Sequence, residues 1–236
     1  MSQGYLTAIK NIFFPNLCLA CEEKTKEDKL CAKCQEKIVF LQPPLCQYCS
    51  KPISHSNNGI CQTCQGKIYP YHNIISLTAY QEPMISLIHL FKYKNYDYLA
   101  EFFSSLMVKR LIKIGFNLNG YDLITAVPMH RDKLKMRGYN QAEILAKAIS
   151  NYFKIPFRND IIYDINIKPS QTKLNPHKRR ENVKGAFTVK GEVRNKKIII
   201  VDDIFTTGAT AIECCQSLKE KKADFLTVIT LSKTIK

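Results

Sequence analysis

No apolar run in this 236-residue chain approaches the ~18 residues that a membrane-spanning helix needs, which excludes insertion by such a helix. Residues 1–16 contain Lys10 and no long apolar core, so they do not read as an export signal, and a soluble cytoplasmic protein is expected. Low-complexity segments are missing too. With 45% hydrophobic and 23% charged residues, wholesale disorder is excluded, and the length accommodates one or two compact domains. Acidic residues are scarce: 20 Asp and Glu face 35 Lys and Arg, leaving a formal net charge of +15.

Cysteine, by contrast, is plentiful. Eight of the 10 cysteines form four CxxC pairs, Cys18/Cys21, Cys31/Cys34, Cys46/Cys49 and Cys61/Cys64, separated by 9, 11 and 11 residues. A CxxC turn sets two thiolates on one side of a tight loop, and two such turns complete a four-sulfur zinc site. Disulfides would need an oxidising compartment, and a redox role usually rests on one pair rather than four, so structural zinc is expected. Pairing in sequence order and an interleaved cross-brace use the same eight ligands, and the spacing leaves both open. His55 falls outside the pattern and reads as a surface loop residue. Residues 1–72 offer little for an apolar core, with Pro43-Pro44 and Lys51-Pro52 among their loop signals, so bound metal would act as a staple for this first domain. Residues 73–236 form the second. There Cys214 and Cys215 sit in a helical pattern and read as small buried side chains.

The positive charge is focused. Residues 1–75 hold 8 basic against 5 acidic side chains, and eight thiolates with two Zn²⁺ ions would bring that region close to neutral. The remainder carries +12, of which residues 168–197 supply +8 and residues 130–137 supply +3. Such focusing suits a polyanionic ligand, either a phosphorylated metabolite or nucleic acid.

The segment IIIVDDIFTTGAT spans residues 198–210. Its apolar start reads as a parallel strand buried on both faces, and Asp202 and Asp203 follow at the strand's C-terminal end, where open α/β sheets bind ligands. Thr206, Thr207, Gly208, Ala209 and Thr210 then lead into a helix whose first N–H groups make a phosphate site. Acids beside a phosphate loop make sense if the ligand also carries hydroxyls or a metal, as a sugar phosphate does. Further strands are expected at 74–80, 122–127 and 225–231, and helices at 83–94, 98–114 and near 141–153.

This thirteen-residue segment resembles the phosphoribosyl-pyrophosphate (PRPP) motif of type I phosphoribosyltransferases. That resemblance implies that Asp202 and Asp203 hold the ribose hydroxyls and that residues 206–210 wrap the 5-phosphate. More of the chain is similar to the competence protein F (ComF) family, in which a cysteine-rich zinc ribbon precedes a phosphoribosyltransferase domain. The similar features are the CxxC pairs, HLFKY (residues 89–93), Val127-Pro128 followed by RGYNQ (residues 137–141), and Gln171, Leu174, Arg179, Asn182-Val183 with GAF (residues 185–187). One departure is the stretch before Gln171, where relatives often carry an Arg and a Thr and this chain has residues 165–170 as INIKPS.

The fold implied is an α/β type I phosphoribosyltransferase-like parallel sheet flanked by helices, preceded by a small zinc-ribbon domain. The end of strand 122–127 would be the diphosphate loop, with Pro128, Met129 and Arg131 binding PRPP and Lys133, Lys135 and Arg137 bordering the leaving group. Residues 168–184 resemble the hood that closes over the site, bringing Lys173, Lys178, Arg179 and Arg180 to the same anion, while Asn182 reads as structural. Catalysis would then rest on Asp202, Asp203, Arg137 and Arg179 with Mg²⁺-bound PRPP. No activated serine or cysteine is evident, and positioning with electrostatic stabilisation requires none. Two other readings stay open. One is a non-catalytic module that senses PRPP or handles single-stranded DNA in natural transformation, with Tyr69, Tyr71, Tyr93, Tyr96 and Tyr98 able to stack bases or to pack a core. The other is a dithiol oxidoreductase, which needs labile CxxC pairs.

Overall fold

The computed structural model describes residues 17–25, 29–53, 58–93, 97–165 and 183–235. The elements run α1 (Ala32–Glu36), β1 (Asn73–Ala79), α2 (Met84–Tyr93), α3 (Asp97–Lys113), β2 (Leu123–Ala126) and α4 (Arg131–Arg137). They continue with α5 (Gln141–Phe153), β3 (Ile162–Asp164), β4 (Phe187–Val189), β5 (Lys197–Phe205), α6 (Ala209–Glu220) and β6 (Phe225–Lys233). Strands β1, β6, β5 and β2 lie side by side in that order, all parallel.

β5 shows why the sheet is buried on both faces. Ile199 and Val201 pack into one core with α2, α3 and α5, whereas Ile198 and Ile200 pack into another with α6. All four are fully buried, each stabilising the fold by roughly 1.5–3 kcal/mol. The helices follow the same logic at a different period: Met84, Leu87, Ile88 and Phe91 make the buried stripe of α2. The two-stranded antiparallel hairpin β3–β4 adds Ile162, Phe187 and Val189 to the α6 side.

The cysteine-rich part sits astride the β1 edge. Cys18, Leu30, Cys34 and Ile38 join the core on the α2–α3–α5 face, while Tyr48, Cys49 and Tyr69 pack against the core on the α6 face. The segment between them runs antiparallel along β1: Leu41 N–H donates to Leu77 O at 3.0 Å and Ala79 N–H donates to Val39 O at 2.8 Å. This covers backbone groups that an edge strand would otherwise leave free to recruit another chain. Buried Arg110 of α3 fastens the segment, donating to Leu41 O at 2.6 Å and Gln42 Oε1 at 2.9 Å, with its guanidinium over the Phe40 ring.

All four expected strands and the three expected helices are present, with two differences. Residues 130–137 were expected as loop but form α4, capped by His130 Nδ1, which accepts from Asp132 N–H, and by Gly138 at φ 81°. That helix buries no residue, so the sequence has no apolar period to reveal it. β5 runs on past Asp202 to Phe205 because β6 pairs with it to Lys233.

Replacing Arg110 with Ala is expected to cost about 3 kcal/mol in urea unfolding, since it strips the buried Leu41 carbonyl of its charged donor. A change below ~1 kcal/mol would mean that the covered edge does not depend on this side chain.

Candidate functional site

Two cysteine centres are built by one turn used twice. In the first, Cys18 N–H bonds Glu23 O and Glu22 N–H bonds Cys18 O; in the second, Cys46 N–H bonds Lys51 O and Ser50 N–H bonds Cys46 O. Glu22 and Ser50, one after each first pair, take the left-handed conformation at φ 61° and 52°. Cys18, Cys21, Cys31 and Cys34 gather in one group and Cys46, Cys49, Cys61 and Cys64 in the other, all ligand atoms within 4.8 Å of one another. The ligands are therefore paired in sequence order.

A zinc tetrahedron with Zn–S of about 2.3 Å has sulfur–sulfur edges near ~3.8 Å. Cys21 and Cys31 Sγ are 3.8 Å apart, and Cys49 and Cys61 Sγ 3.7 Å, so the donor sets fit zinc. Burial opposes ionisation of Cys18, but N–H groups of Cys31, Ala20 and Cys21 bring its thiol down to about 6. In the second group burial opposes too, yet the Cys46 thiol and the Cys64 N–H bring Cys61 to about 7. Each centre thus has one sulfur ready as a thiolate near neutral pH. Tyr69 donates to Cys64 Sγ at 3.2 Å and stacks on Tyr48, so this tyrosine is committed to the module, as is buried Tyr71. Cys214 and Cys215 are fully buried in α6 and burial pushes both thiols up, in keeping with their reading as packing groups.

The second site lies where the sheet opens. β2 ends at Ala126 opposite Val201, with Val127 N–H making the last bond to Val201 O at 2.9 Å. Past that point β5 is paired with β6 alone, and Asp202 and Asp203 occupy the crevice so left. Asp203 N–H donates to Asp202 Oδ1 at 2.8 Å, and Lys92 Nζ stands 2.6 Å from Asp203 Oδ2. The two ion-paired side chains are only 20% and 15% exposed. Burial and the neighbouring Asp203 charge push Asp202 well above the usual carboxylate range. Burial pushes Asp203 the same way, but Lys92 overcomes it and holds that carboxyl below the range.

Directly beyond, Thr206 to Gly208 form a bend and α6 starts at Ala209. Gly208 is the N-cap at φ 74° and offers no side chain to the first turn, so the helix presents its N-terminal N–H groups outward. Thr207 Oγ1 takes one of them, from Ala209, at 3.4 Å. Glycine is required for packing as well: a Cβ there would lie 2.4 Å from the Phe205 ring.

The RGYNQ residues hold this arrangement together. Tyr139 Oη and Gln141 Nε2 both donate to Phe91 O, the residue before Lys92. Asn140 donates to Val127 O and caps α5 by accepting from Ala142 N–H. Gly138 supplies the left-handed end of α4. Arg137 lies over the Tyr93 ring at 5.0 Å and donates to Gln141 Oε1 and Tyr93 Oη. Lys133 is pushed down by burial and by the Arg137 and Lys92 charges, while Asp164 and Asp203 oppose this. Lys92 is thus the cation in contact with the acid pair, while Lys133 feels the charges of Arg137, Lys92 and Asp203.

Pro128, Met129 and Arg131 line a cavity of about 220 Å³ between the end of β2 and the β3–β4 hairpin, together with Tyr163 and Asp164. Neither the acid pair nor Arg137 lines that cavity. Lys135 is exposed. Gln171, Lys173, Leu174, Lys178, Arg179, Arg180 and Asn182 lie outside the described residues. Sequence reasoning gave Lys92 no role. Its signal was present, since it follows Ile88 by one helical turn and thus flanks the buried stripe of α2.

Residues 9–69 match the double zinc ribbon domain and residues 136–233 match the phosphoribosyl transferase domain. The chain is 26% identical over 222 residues to the DNA utilization protein YhgH of Escherichia coli, covering 93% of this chain and 91% of that protein. It is 28% identical over 223 residues to competence protein F of Haemophilus influenzae, covering 92% and 89%. Among solved structures, a hypoxanthine phosphoribosyltransferase from Staphylococcus aureus aligns over 57% of this chain and 64% of its own, at 15% identity and a TM-score of 0.36. Among the described residues, no helix is long and apolar enough to cross a membrane.

Atomic absorption is expected to find two zinc ions per chain. Their removal by a chelator should open the eight thiols to alkylation. Because Cys18 and Cys34 belong to the core beneath the sheet, it should also lower the thermal transition of the whole molecule. An unshifted transition after both ions are lost would contradict this.

Proposed function

We propose that this chain, which matches the double zinc ribbon domain over residues 9–69 and the phosphoribosyl transferase domain over residues 136–233, divides near residue 72, binds Mg²⁺-PRPP at the end of β5 and acts in DNA uptake. The observation that carries the reading is the adjacency of a half-buried acid pair and an uncapped helix N-terminus on a single strand–bend–helix unit. A ligand with vicinal hydroxyls next to a phosphate satisfies both. Asp202 and Asp203 accept from the ribose hydroxyls, and the N–H groups and hydroxyls of residues 206–210 surround the 5-phosphate. The diphosphate extends toward the cations of α4, Lys133 and Arg137, and toward Pro128, Met129 and Arg131 at the end of β2.

Carboxylate oxygens are the hard donors that Mg²⁺ takes, so Asp202 and Asp203 suit it, and the ion supplies neutralisation of the leaving diphosphate. The transfer breaks the bond between ribose C1 and the diphosphate oxygen as an acceptor's lone pair forms the new bond at C1. The electron pair leaves with the diphosphate. Lys133, Arg137 and Arg179 stabilise the charge that develops there, while the fixed carboxylates face the cationic sugar ring. The names of the curated relatives, DNA utilization protein and competence protein F, support the setting in DNA uptake and natural transformation.

A second reading, direct handling of single-stranded DNA, is favoured by a separate cavity of about 650 Å³ between the first cysteine centre and α3. Phe40, Tyr98 and Phe102 line it together with the cations Lys109 and Lys113. If DNA binds this surface, oligonucleotide affinity should fall steeply with salt and should not be competed by PRPP; a flat salt response would count against it.

Calorimetric titration of Mg²⁺-PRPP into the zinc-loaded protein should give saturable binding that the Asp202→Asn, Asp203→Asn double variant abolishes. Equal affinity in the double variant would sink the assignment of the ribose to this pair.

A further inference from the structure

Carboxylate oxygens are the donors that hard divalent cations take. Of the Asp202–Asp203 pair, one carboxylate is already engaged, by Lys92 Nζ at 2.6 Å from Asp203 Oδ2, with little solvent access to either side chain. Lys92 does not reach this spot by chance of a long flexible arm. It stands in the last turn of α2, whose buried stripe is locked in the core, and the preceding carbonyl, Phe91 O, accepts from both Tyr139 and Gln141. The ammonium is therefore a built-in counter-ion. Lys133 of α4 lies within electrostatic reach of both Lys92 and Asp203 and adds positive charge on this side of the pair.

We infer that Lys92 keeps free divalent cations off the Asp202–Asp203 pair, so that the metal enters only as the complex of a diphosphate-bearing ligand, whose negative charge draws Lys92 away from Asp203. This rests on the PRPP reading for the identity of that ligand, but the exclusion of free metal belongs to the apo site and is testable without it. The device makes chemical sense. A metal ion resident before the ligand would tie up the carboxylates that the ribose hydroxyls need. A lysine can exchange one anionic partner for another at the cost of a rotamer change, because both partners satisfy the same charge. The residue thus belongs to the binding machinery as an exchangeable ligand of the acid pair.

The test uses Mn²⁺ as the probe, followed by the loss of its free-ion electron paramagnetic resonance signal on addition of the zinc-loaded full chain. The wild-type protein and Lys92→Arg should leave the signal of Mn²⁺ alone intact and should deplete it when PRPP is added. Lys92→Met and Lys92→Gln should take up Mn²⁺ without PRPP at least tenfold more tightly than wild type, and adding Asp203→Asn to either should abolish that gain. Uptake of free Mn²⁺ by the wild type as tight as by the variants would overturn the proposal, as would a gain that survives Asp203→Asn. Should both neutral variants fail to fold, Mn²⁺ uptake by wild type alone, sensitive to Asp203→Asn, would overturn it, and its absence at millimolar Mn²⁺ would uphold it. A wild-type protein that binds no PRPP would instead refute the preceding reading, while the comparison in free Mn²⁺ would still decide whether Lys92 closes the pair.

Discussion

Two neighbouring carboxylates at the open end of a strand with both faces buried impose a charge that the surrounding protein has to answer. Asp202 and Asp203 are carried there by β5, whose isoleucines fix its position between two helical layers. The strand outruns β2, which creates the crevice, and the crevice exposes the pair to a ligand but also to the cost of half-burial. Lys92 supplies the compensation from the last turn of α2, whose buried stripe fixes its place. The RGYNQ segment then holds the end of α2 through the Phe91 carbonyl and the end of β2 through the Val127 carbonyl. Motifs far apart in the chain are in this sense parts of one solution to the placing of a single charge pair.

Much of this was legible from residues 198–210, because a β-branched run, two acids and a small-residue bend each have a local physical meaning. The long helices and parallel strands were legible for the same reason, through their apolar periods. α4 was not, since it rests on caps at His130 and Gly138 and buries nothing. The partner of Lys92 was not either: a salt bridge between a helix end and a distant strand leaves no periodic trace. The pairing of the cysteines was open because sequential and interleaved arrangements need identical spacing, and only the gathering of the sulfurs distinguishes them. The staple reading of residues 1–72 also needs refinement, for among the described residues the first centre shares the core of the sheet through Cys18, Leu30, Cys34 and Ile38.

The two cysteine centres repeat one turn but differ in what they touch. The first leaves Cys21 exposed and packs beside α3; the second, with Cys46, Cys61 and Cys64 buried, faces the α6 side of the sheet. Burial pushes Lys233 down, while the thiolates of the second centre pull it back up, led by Cys49. Its ammonium lies over the Phe205 ring, the same ring on which Gly208 rests. Lys233 therefore stands between the field of the second cysteine group and the ring beside the loop at the start of α6.

The strand order has a consequence for how the chain is made. β6, the last strand of the sheet, lies between β1 and β5, with Thr227 opposite Asn73 and Leu226 opposite Ile198. During synthesis the cysteine turns, whose bonds are local, are able to close around metal while the rest of the chain is still emerging. The sheet has no such freedom, because β1 has no strand partner until residues 225–233 have left the ribosome. Until then β1 lacks its parallel neighbour, and among the described residues the segment 39–41 along its outer side is a covering that can already be in place. The nascent protein thus waits for its final strand with its aggregation-prone edge already shielded.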